Sequence, residues 1–199
     1  MSIFKKVLKR LSVTITAAMM FTYAVNSVIA SADNIYQINS FTGHCQEMSN
    51  WCWVASAETS GKYLVNSSKT QTNAVQYVKN NVVNEGGTIY ETAEAANYFT
   101  NNQYNYVGYN QAYSITFLQG QITSNRLPIL SAGYYNSLGQ RYAGHATTGY
   151  MVAYCGDGTK LIGYYDPWDG GRRYICTFYD FCNGGYNGRK YDRTIYTNV

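Results

Sequence analysis

The chain has 199 residues, a formal net charge of +4 and only 13% charged residues. Residues 1–30 carry four of the 15 Lys/Arg and none of the Asp/Glu, so the remaining chain holds 11 of each and is formally neutral. A neutral remainder without a basic run excludes nucleic-acid binding and a polybasic membrane surface. Its length predicts a single domain over residues 33–199 with one sizeable core.

The N-terminus has the organisation of a secretory signal peptide. Four basic residues precede an apolar, charge-free stretch over residues 11–30, and small residues follow at the spacing that a signal peptidase recognises. A transmembrane anchor is the alternative, but the stretch is only moderately apolar and has no cationic flank after it. We therefore expect a signal peptide over residues 1–30, a secreted, extracellular protein, and no membrane contact after cleavage.

Helical patterns dominate the first half of the remaining chain. Residues 33–44 are predicted as a short extended lead-in, and Ser49 or Asn50 offers an N-cap for a helix from Trp51 to Leu64. The small residues of this helix indicate close packing in the centre of a domain. Apolar spacing and glycine breaks predict three more helices, over residues 72–80, 92–99 and 114–124.

Strand patterns follow Pro128. Segments rich in Tyr, Ile, Val and Thr alternate with turn signals, which predicts strands over residues 129–135, 145–154, 160–165 and 173–179. Helices come first and an antiparallel sheet second, so the fold class is predicted as α+β with segregated layers. A cleft between the two halves is a natural place for a functional site.

Five cysteines follow the predicted signal peptide, and an odd number leaves at least one thiol over. The cysteines lack the paired spacing of a zinc site, and we expect neither a metal nor another cofactor. We favour a Cys176–Cys182 bridge, with Cys45–Cys155 as a further pair, over an all-reduced chain, although the spacing does not fix the connectivity.

Cys52 lies in the first turn of the predicted first helix. Unpaired backbone N–H groups and the helix dipole lower the pKa of a thiol there, and the thiolate is the nucleophile. A packed structural cysteine is the alternative. Gln46, six residues earlier, favours catalysis, because its amide and the N–H of Cys52 can bind a developing oxyanion. Taken alone, Gln46 could equally be a solvated surface amide.

His145 is the predicted base. It begins a strand between Gly144 and Ala146, and these small neighbours leave room for a substrate and for the approach of Cys52. The other histidine, His44, lies on the extended lead-in, where no strand would hold it rigid.

Asp166 is the predicted third member of the site. It ends the strand after that of His145, and a hairpin turning near residues 156–158 would bring the two side chains together. The carboxylate would then fix the orientation of the imidazole. A turn begun by Asp166 and Pro167 is the alternative interpretation, and Asp169 and Asp180 are lesser candidates.

These segments resemble papain-like cysteine peptidases. Gln46-Glu47-Met48-Ser49-Asn50-Trp51-Cys52-Trp53 resembles the oxyanion and nucleophile segment, particularly of the staphopain-like and bacterial effector branches. Gly144-His145-Ala146 resembles the strand that carries the catalytic histidine in this family. Asp166-Pro167-Trp168 resembles the segment that carries its third catalytic residue. The resemblance spans about residues 45–170. It implies a papain-like fold whose central nucleophile helix packs on the sheet, and catalysis by Cys52, His145, Asp166 and Gln46.

The implied function is that of a secreted cysteine endopeptidase, acting as a monomer on protein or peptide substrates through a thioester. An amidase or acyltransferase on cell-wall or leader peptides is an alternative with the same chemistry. A non-catalytic, Tyr-rich binding module is another, which the four intact site residues argue against. Only residues 33–45 separate the signal peptide from Gln46, in place of the family's usual long inhibitory propeptide. Either the enzyme is not latent or a separate protein inhibits it.

Overall fold

The computed structural model describes residues 32–168, 170–185 and 187–198, and the predicted signal peptide lies outside them. Five helices are formed in these ranges: α1 (Cys52–Leu64), α2 (Gln71–Lys79), α3 (Ile89–Phe99), α4 (Ile115–Thr123) and α5 (Phe178–Asn183). The strands are β1 (Ala32–Gln37), β2 (Asn105–Tyr109), β3 (Ile129–Tyr135), β4 (Arg141–Cys155), β5 (Lys160–Asp166), β6 (Arg172–Thr177) and β7 (Lys190–Asn198). The predicted α+β class, with the helices mainly in the N-terminal half, is confirmed.

These seven strands belong to one antiparallel sheet, in which six follow the order β2-β7-β3-β4-β5-β6 and β1 pairs with β4. Strand β4 has 15 residues, and it pairs with β3 along its first half and with β1 along its second half. The predicted hairpin is formed by β4 and β5, with Thr148 opposite Tyr165. This register carries the end of β5 alongside the first half of β4, where the predicted base lies.

Helix α1 runs through the interior, and all its residues from Trp53 to Gly61 are buried. It packs against α3 on one side and β4 on another. A side chain at Gly61 would come within 2.7 Å of Phe99 and 3.1 Å of the Ala96 carbonyl, both in α3. The small residues of α1 therefore allow the close packing that the sequence predicts.

The predicted cap of α1 is wrong. The helix begins one residue later than predicted, at Cys52, with Trp51 at the N-cap and no side-chain hydrogen bond to cap it. Asn50 is engaged elsewhere, because its amide donates to the Asn84 carbonyl at 2.9 Å and its N–H donates to the Asn84 side chain at 3.0 Å. No side chain thus competes for the N–H groups at the start of α1.

Helices α2 and α3 begin earlier than their apolar patterns predict. Thr70 and Thr88 each form a capping box, with Asn73 and Glu91 respectively. A capping box satisfies two unpaired groups at once, so it extends a helix backward beyond its first apolar residue.

The C-terminal part differs most from the prediction. Strand β6 ends at Thr177, and its hydroxyl accepts a hydrogen bond from the Asp180 N–H at 3.0 Å, which caps α5 where more strand was expected. Strand β7, in the last thirty residues, inserts between β2 and β3 and buries Ile195 in the core. Among the helices described, none is long and apolar enough to span a bilayer.

The favoured disulfides are not formed. Cys45, Cys52, Cys176 and Cys182 are free thiols. The bridge between Cys176 and Cys182 required a strand returning through a turn, but α5 follows the strand instead. Burial raises the pKa of Cys176 to about 12 and of Cys182 to about 11. In the described ranges no group of three or more His, Cys, Asp or Glu is arranged for a metal ion.

Candidate active site

The Cys52 thiol lies at the start of α1 beside β4. It accepts hydrogen bonds from the N–H groups of Trp53 and Ala146 and interacts with the His145 ring. Burial by itself raises the pKa of this thiol, but the hydrogen bond and charge of His145 and the two N–H groups outweigh it and lower the pKa below its usual value. The site therefore favours the thiolate.

His145 lies in β4, only 5% exposed, between Cys52 and Asp166. Its Nε2 is 2.6 Å from Asp166 Oδ1, which leaves Nδ1 as the ring nitrogen available to the thiol. Burial lowers the pKa of the imidazole, but the bonds and charges of Asp166 and Cys52 raise it to about 8. A protonated ring beside a thiolate is thus the favoured state near neutral pH.

Asp166 ends β5 and is 6% exposed. Besides His145, its Oδ1 accepts the Trp168 N–H at 3.0 Å, and its Oδ2 lies 3.7 Å from the Arg189 guanidinium. Burial raises the pKa of this carboxyl, but His145, the Trp168 N–H and Arg189 together lower it below its usual value. Arg189, just before β7, was not predicted as part of the site.

The competing candidates lie elsewhere. His44 contacts Glu58, with Nδ1 to Oε1 at 3.4 Å, and not the predicted nucleophile. Asp180 accepts the Thr177 hydroxyl at the start of α5. Asp169 lies outside the described residues. Trp168 meets the His145 ring edge to face at a centroid distance of 5.8 Å and is 53% exposed.

Gln46 lies in the loop before α1, and its backbone N–H donates to the Pro167 carbonyl at 3.0 Å. Its amide nitrogen donates to the carbonyls of Met48 and Ser49, both at 2.9 Å, and its buried amide oxygen has no partner among the described residues. The loop is thus tied to the segment after Asp166, while the amide is engaged with its own turn.

Gln71, a buried glutamine of α2, forms hydrogen bonds with the backbone on both sides of Gln46. Gln71 is 1% exposed, its amide nitrogen donates to the Cys45 carbonyl at 2.7 Å, and its amide oxygen accepts the Glu47 N–H at 3.1 Å. The same nitrogen donates to the buried Glu58 carboxylate at 2.9 Å. No local pattern marked Gln71, because its three partners come from two other segments.

Two cavities adjoin His145. One, of about 120 Å³, is also lined by Cys52 and by Gly86 and Gly87. The other, of about 370 Å³, is lined instead by Asp166, Trp168 and Arg189, among others. The site therefore opens on two sides of the histidine ring.

Two buried tryptophans hold the wall of the smaller cavity. Trp51 donates to the Val83 carbonyl at 2.8 Å, and Trp53 to the Glu85 carbonyl at 3.0 Å. A side chain at Gly87 would overlap the Trp53 ring. Trp53 thus packs against the segment that faces Cys52 and fixes its position.

The chain was compared with protein families, solved structures and curated proteins. The sequence profile of the family described as papain-like cysteine protease AvrRpt2 matches residues 34–183. The crystal structure of UfSP from C.elegans resembles the chain distantly, with a TM-score of 0.49 and 11% identity over 82% of this chain and 34% of that one. The chain therefore spans about a third of that protein's length. A search of curated proteins finds no match.

The family match includes the start of α1, the histidine strand β4 and the end of β5. In the structure these are the segments that bring a thiol of lowered pKa, an imidazole and a carboxylate into contact. A cysteine peptidase is a hydrolase that needs a thiolate beside a histidine. The chain belongs to the family of papain-like cysteine proteases described as AvrRpt2.

Proposed function

We propose that the protein is a secreted endopeptidase that hydrolyses peptide bonds with Cys52 as nucleophile, His145 as base and acid, and Asp166 as the group that orients the histidine. One observation carries this proposal: contacts run unbroken from the buried Asp166 carboxylate through His145 to the Cys52 thiol. The geometry and the pKa shifts agree, since each partner stabilises the charged form of its neighbour.

In the proposed reaction the thiolate attacks the carbonyl carbon of the peptide bond, a C–S bond forms, and the carbonyl electron pair moves to oxygen. The C–N bond then breaks while His145 gives its proton to the leaving amine, which leaves a thioester on Cys52. Water attacks the thioester, its proton passes to His145, and the C–S bond breaks to release the acid and regenerate the thiolate.

The oxyanion would accept hydrogen bonds from the Cys52 N–H and from the Gln46 amide. For this role Gln46 has to release the carbonyl of Met48 or Ser49 when substrate arrives. Its buried, unpartnered amide oxygen supports such a movement, because an orphaned buried acceptor disfavours the present orientation by about 1–3 kcal/mol.

Secretion is supported by the signal-peptide pattern of residues 1–30. The neutral charge of the remaining residues argues against a nucleic-acid partner. We propose that the enzyme acts as a monomer on protein or peptide.

Digestion of casein and of peptidoglycan by the wild-type protein and by Cys52→Ala, read by mass spectrometry, tests the proposal. We expect casein peptides with new termini from the wild type and none from the variant. Products from peptidoglycan alone would favour the amidase alternative. Undiminished casein cleavage by Cys52→Ala would contradict the assigned nucleophile.

A further inference from the structure

The face of the sheet that packs on α1 continues beyond the core as a polar row. Ile129 pairs with Ile195, and both are buried against the helices. Two residues farther along β3 from Ile129, Ser131 pairs with Ala146 on one side and with Arg193 on the other. Side chains two residues apart on a strand share a face, so this row lies on the face of the core and lines the smaller cavity beside Cys52.

Arg141 also lines this cavity, and its charge is already balanced by an acidic partner. Arg141 lies against Gly133 and Gly144, where any side chain would overlap it. Its Nε is 2.7 Å from Asp192 Oδ2, and its Nη2 donates to the Ser131 hydroxyl at 3.0 Å. The Tyr135 hydroxyl also donates to Asp192, at 2.5 Å. Arg141 and Asp192 therefore cancel in charge and form a fixed wall.

Arg193 differs, because in the described part of the chain its guanidinium has neither an ion pair nor a hydrogen bond, although it is partly buried. The other charged groups that line the cavity are each balanced: the Cys52 thiolate by protonated His145, and Arg141 by its ion-pair partner Asp192. Arg193 is thus one uncompensated cation beside the nucleophile. Burying a cation without a partner is unfavourable, so an anion entering the cavity is favoured.

The shape of the cavity specifies the anion further. The apolar walls of the cavity are formed by Ile89, Ile195 and Thr92. Its polar end is formed by the Arg193 guanidinium and the Ser131 hydroxyl. Its volume of about 120 Å³ equals that of about four waters in the liquid. An acidic side chain offers methylenes to the walls and a carboxylate to the guanidinium.

We infer that this cavity is a specificity subsite for an acidic substrate side chain, glutamate above all, whose carboxylate pairs with Arg193. The inference rests on the proposed peptidase function and names a feature of its substrate. Arginine suits the role because its planar guanidinium binds a carboxylate through two parallel hydrogen bonds.

Peptide series with Glu, Gln or Lys at each position around a cleaved bond test the inference, with kcat/KM as the readout. At one position on one side of the bond we expect the wild type to prefer Glu over Gln by about tenfold, the effect of one hydrogen bond between charged groups. Arg193→Met should bring this ratio to about one, Arg193→Glu should invert it toward Lys, and Arg193→Lys should retain part of it. Lys160→Met, an exposed cation at the far end of β5, is the matched control and should leave the ratio unchanged.

An equal rate for Glu and Gln peptides at every position, or an unchanged preference in Arg193→Met, would overturn the subsite while leaving the peptidase function intact. Absence of any Cys52-dependent cleavage would contradict the peptidase function itself. Binding of the same peptides to Cys52→Ala, measured by fluorescence anisotropy, then decides on the subsite: tighter binding of Glu supports it, and equal affinity overturns it.

Discussion

At the scale of single residues, the site combines a thiol whose pKa is lowered and an imidazole whose pKa is raised to about 8. Each shift stabilises the charged form of its group, so the pair favours thiolate and imidazolium together. Because the two groups titrate together, the apparent pKa values seen in the pH dependence of activity belong to the pair.

We predict a bell-shaped dependence of kcat/KM on pH. Activity should fall in acid as the thiolate takes up a proton, and in alkali as His145 loses the proton that the leaving amine requires, with the alkaline midpoint near pH 8. Initial rates with one fluorogenic peptide across the pH range measure both limbs. Constant activity far above pH 8 would contradict the role of the imidazolium.

Asp166→Asn should lower kcat/KM by about tenfold, the loss of one charge-assisted hydrogen bond. His145→Ala should lower it by about 1,000-fold, because nothing replaces the base. Since the carboxylate raises the pKa of His145, Asp166→Asn should also move the alkaline limb to lower pH. The opposite order of the two losses would assign the third role to another acid, such as Asp169.

At the scale of elements, α2 supports the loop before α1 through a single side chain. Gln71 binds the backbone of Cys45 and Glu47, the two neighbours of Gln46. If Gln46 binds the oxyanion, Gln71 is a positioning residue that acts through it.

Gln71→Met should therefore lower kcat about tenfold, the worth of one oriented hydrogen bond to a charged group, and leave KM nearly unchanged. Gln103→Met, at an exposed glutamine, is the control. Steady-state kinetics and a thermal melt of each variant separate the two roles. A lower Tm with wild-type kcat would show that Gln71 is structural only.

The elements also show what the sequence could predict. Strand β3 has the predicted bounds, and the β4–β5 hairpin turns where the midpoint of His145 and Asp166 indicates. The start of α1 was mispredicted because Asn50, a good cap residue, bonds Asn84 instead. The predicted strand over residues 173–179 runs two residues too far, into the start of α5, because Thr177, a strand former, caps that helix instead.

At the scale of the whole molecule, the chain's last strand completes the site. Strand β7 inserts between β2 and β3, which puts Arg193 in the cavity beside Cys52, and Arg189 just precedes it, next to Asp166. Pairing between segments this distant in sequence leaves no local signal. Neither arginine could therefore be predicted from its own segment. The thiol, the histidine and the carboxylate could be predicted, because the sequence around each of them indicates its role.

The position of β7 predicts that its core residue matters for the whole fold. Ile195→Ala should lower the free energy of unfolding by about 3 kcal/mol, the usual loss for a fully buried aliphatic side chain. Lys190→Ala, exposed at the start of the same strand, should change it by less than about 0.5 kcal/mol. Urea denaturation followed by circular dichroism measures both. Equal, small effects would contradict the central place of β7.

Labelling with a thiol-directed epoxide, mapped by mass spectrometry, tests most directly that Cys52 is the ionised nucleophile. Cys45 is exposed and is the natural competitor, while burial raises the pKa of Cys176 and Cys182 and should slow them. We predict that native protein at neutral pH takes up one adduct, on Cys52, faster than free cysteine reacts, and that His145→Ala abolishes this rate advantage. Equal labelling of the five cysteines, or faster labelling of Cys45 than of Cys52, would contradict the account.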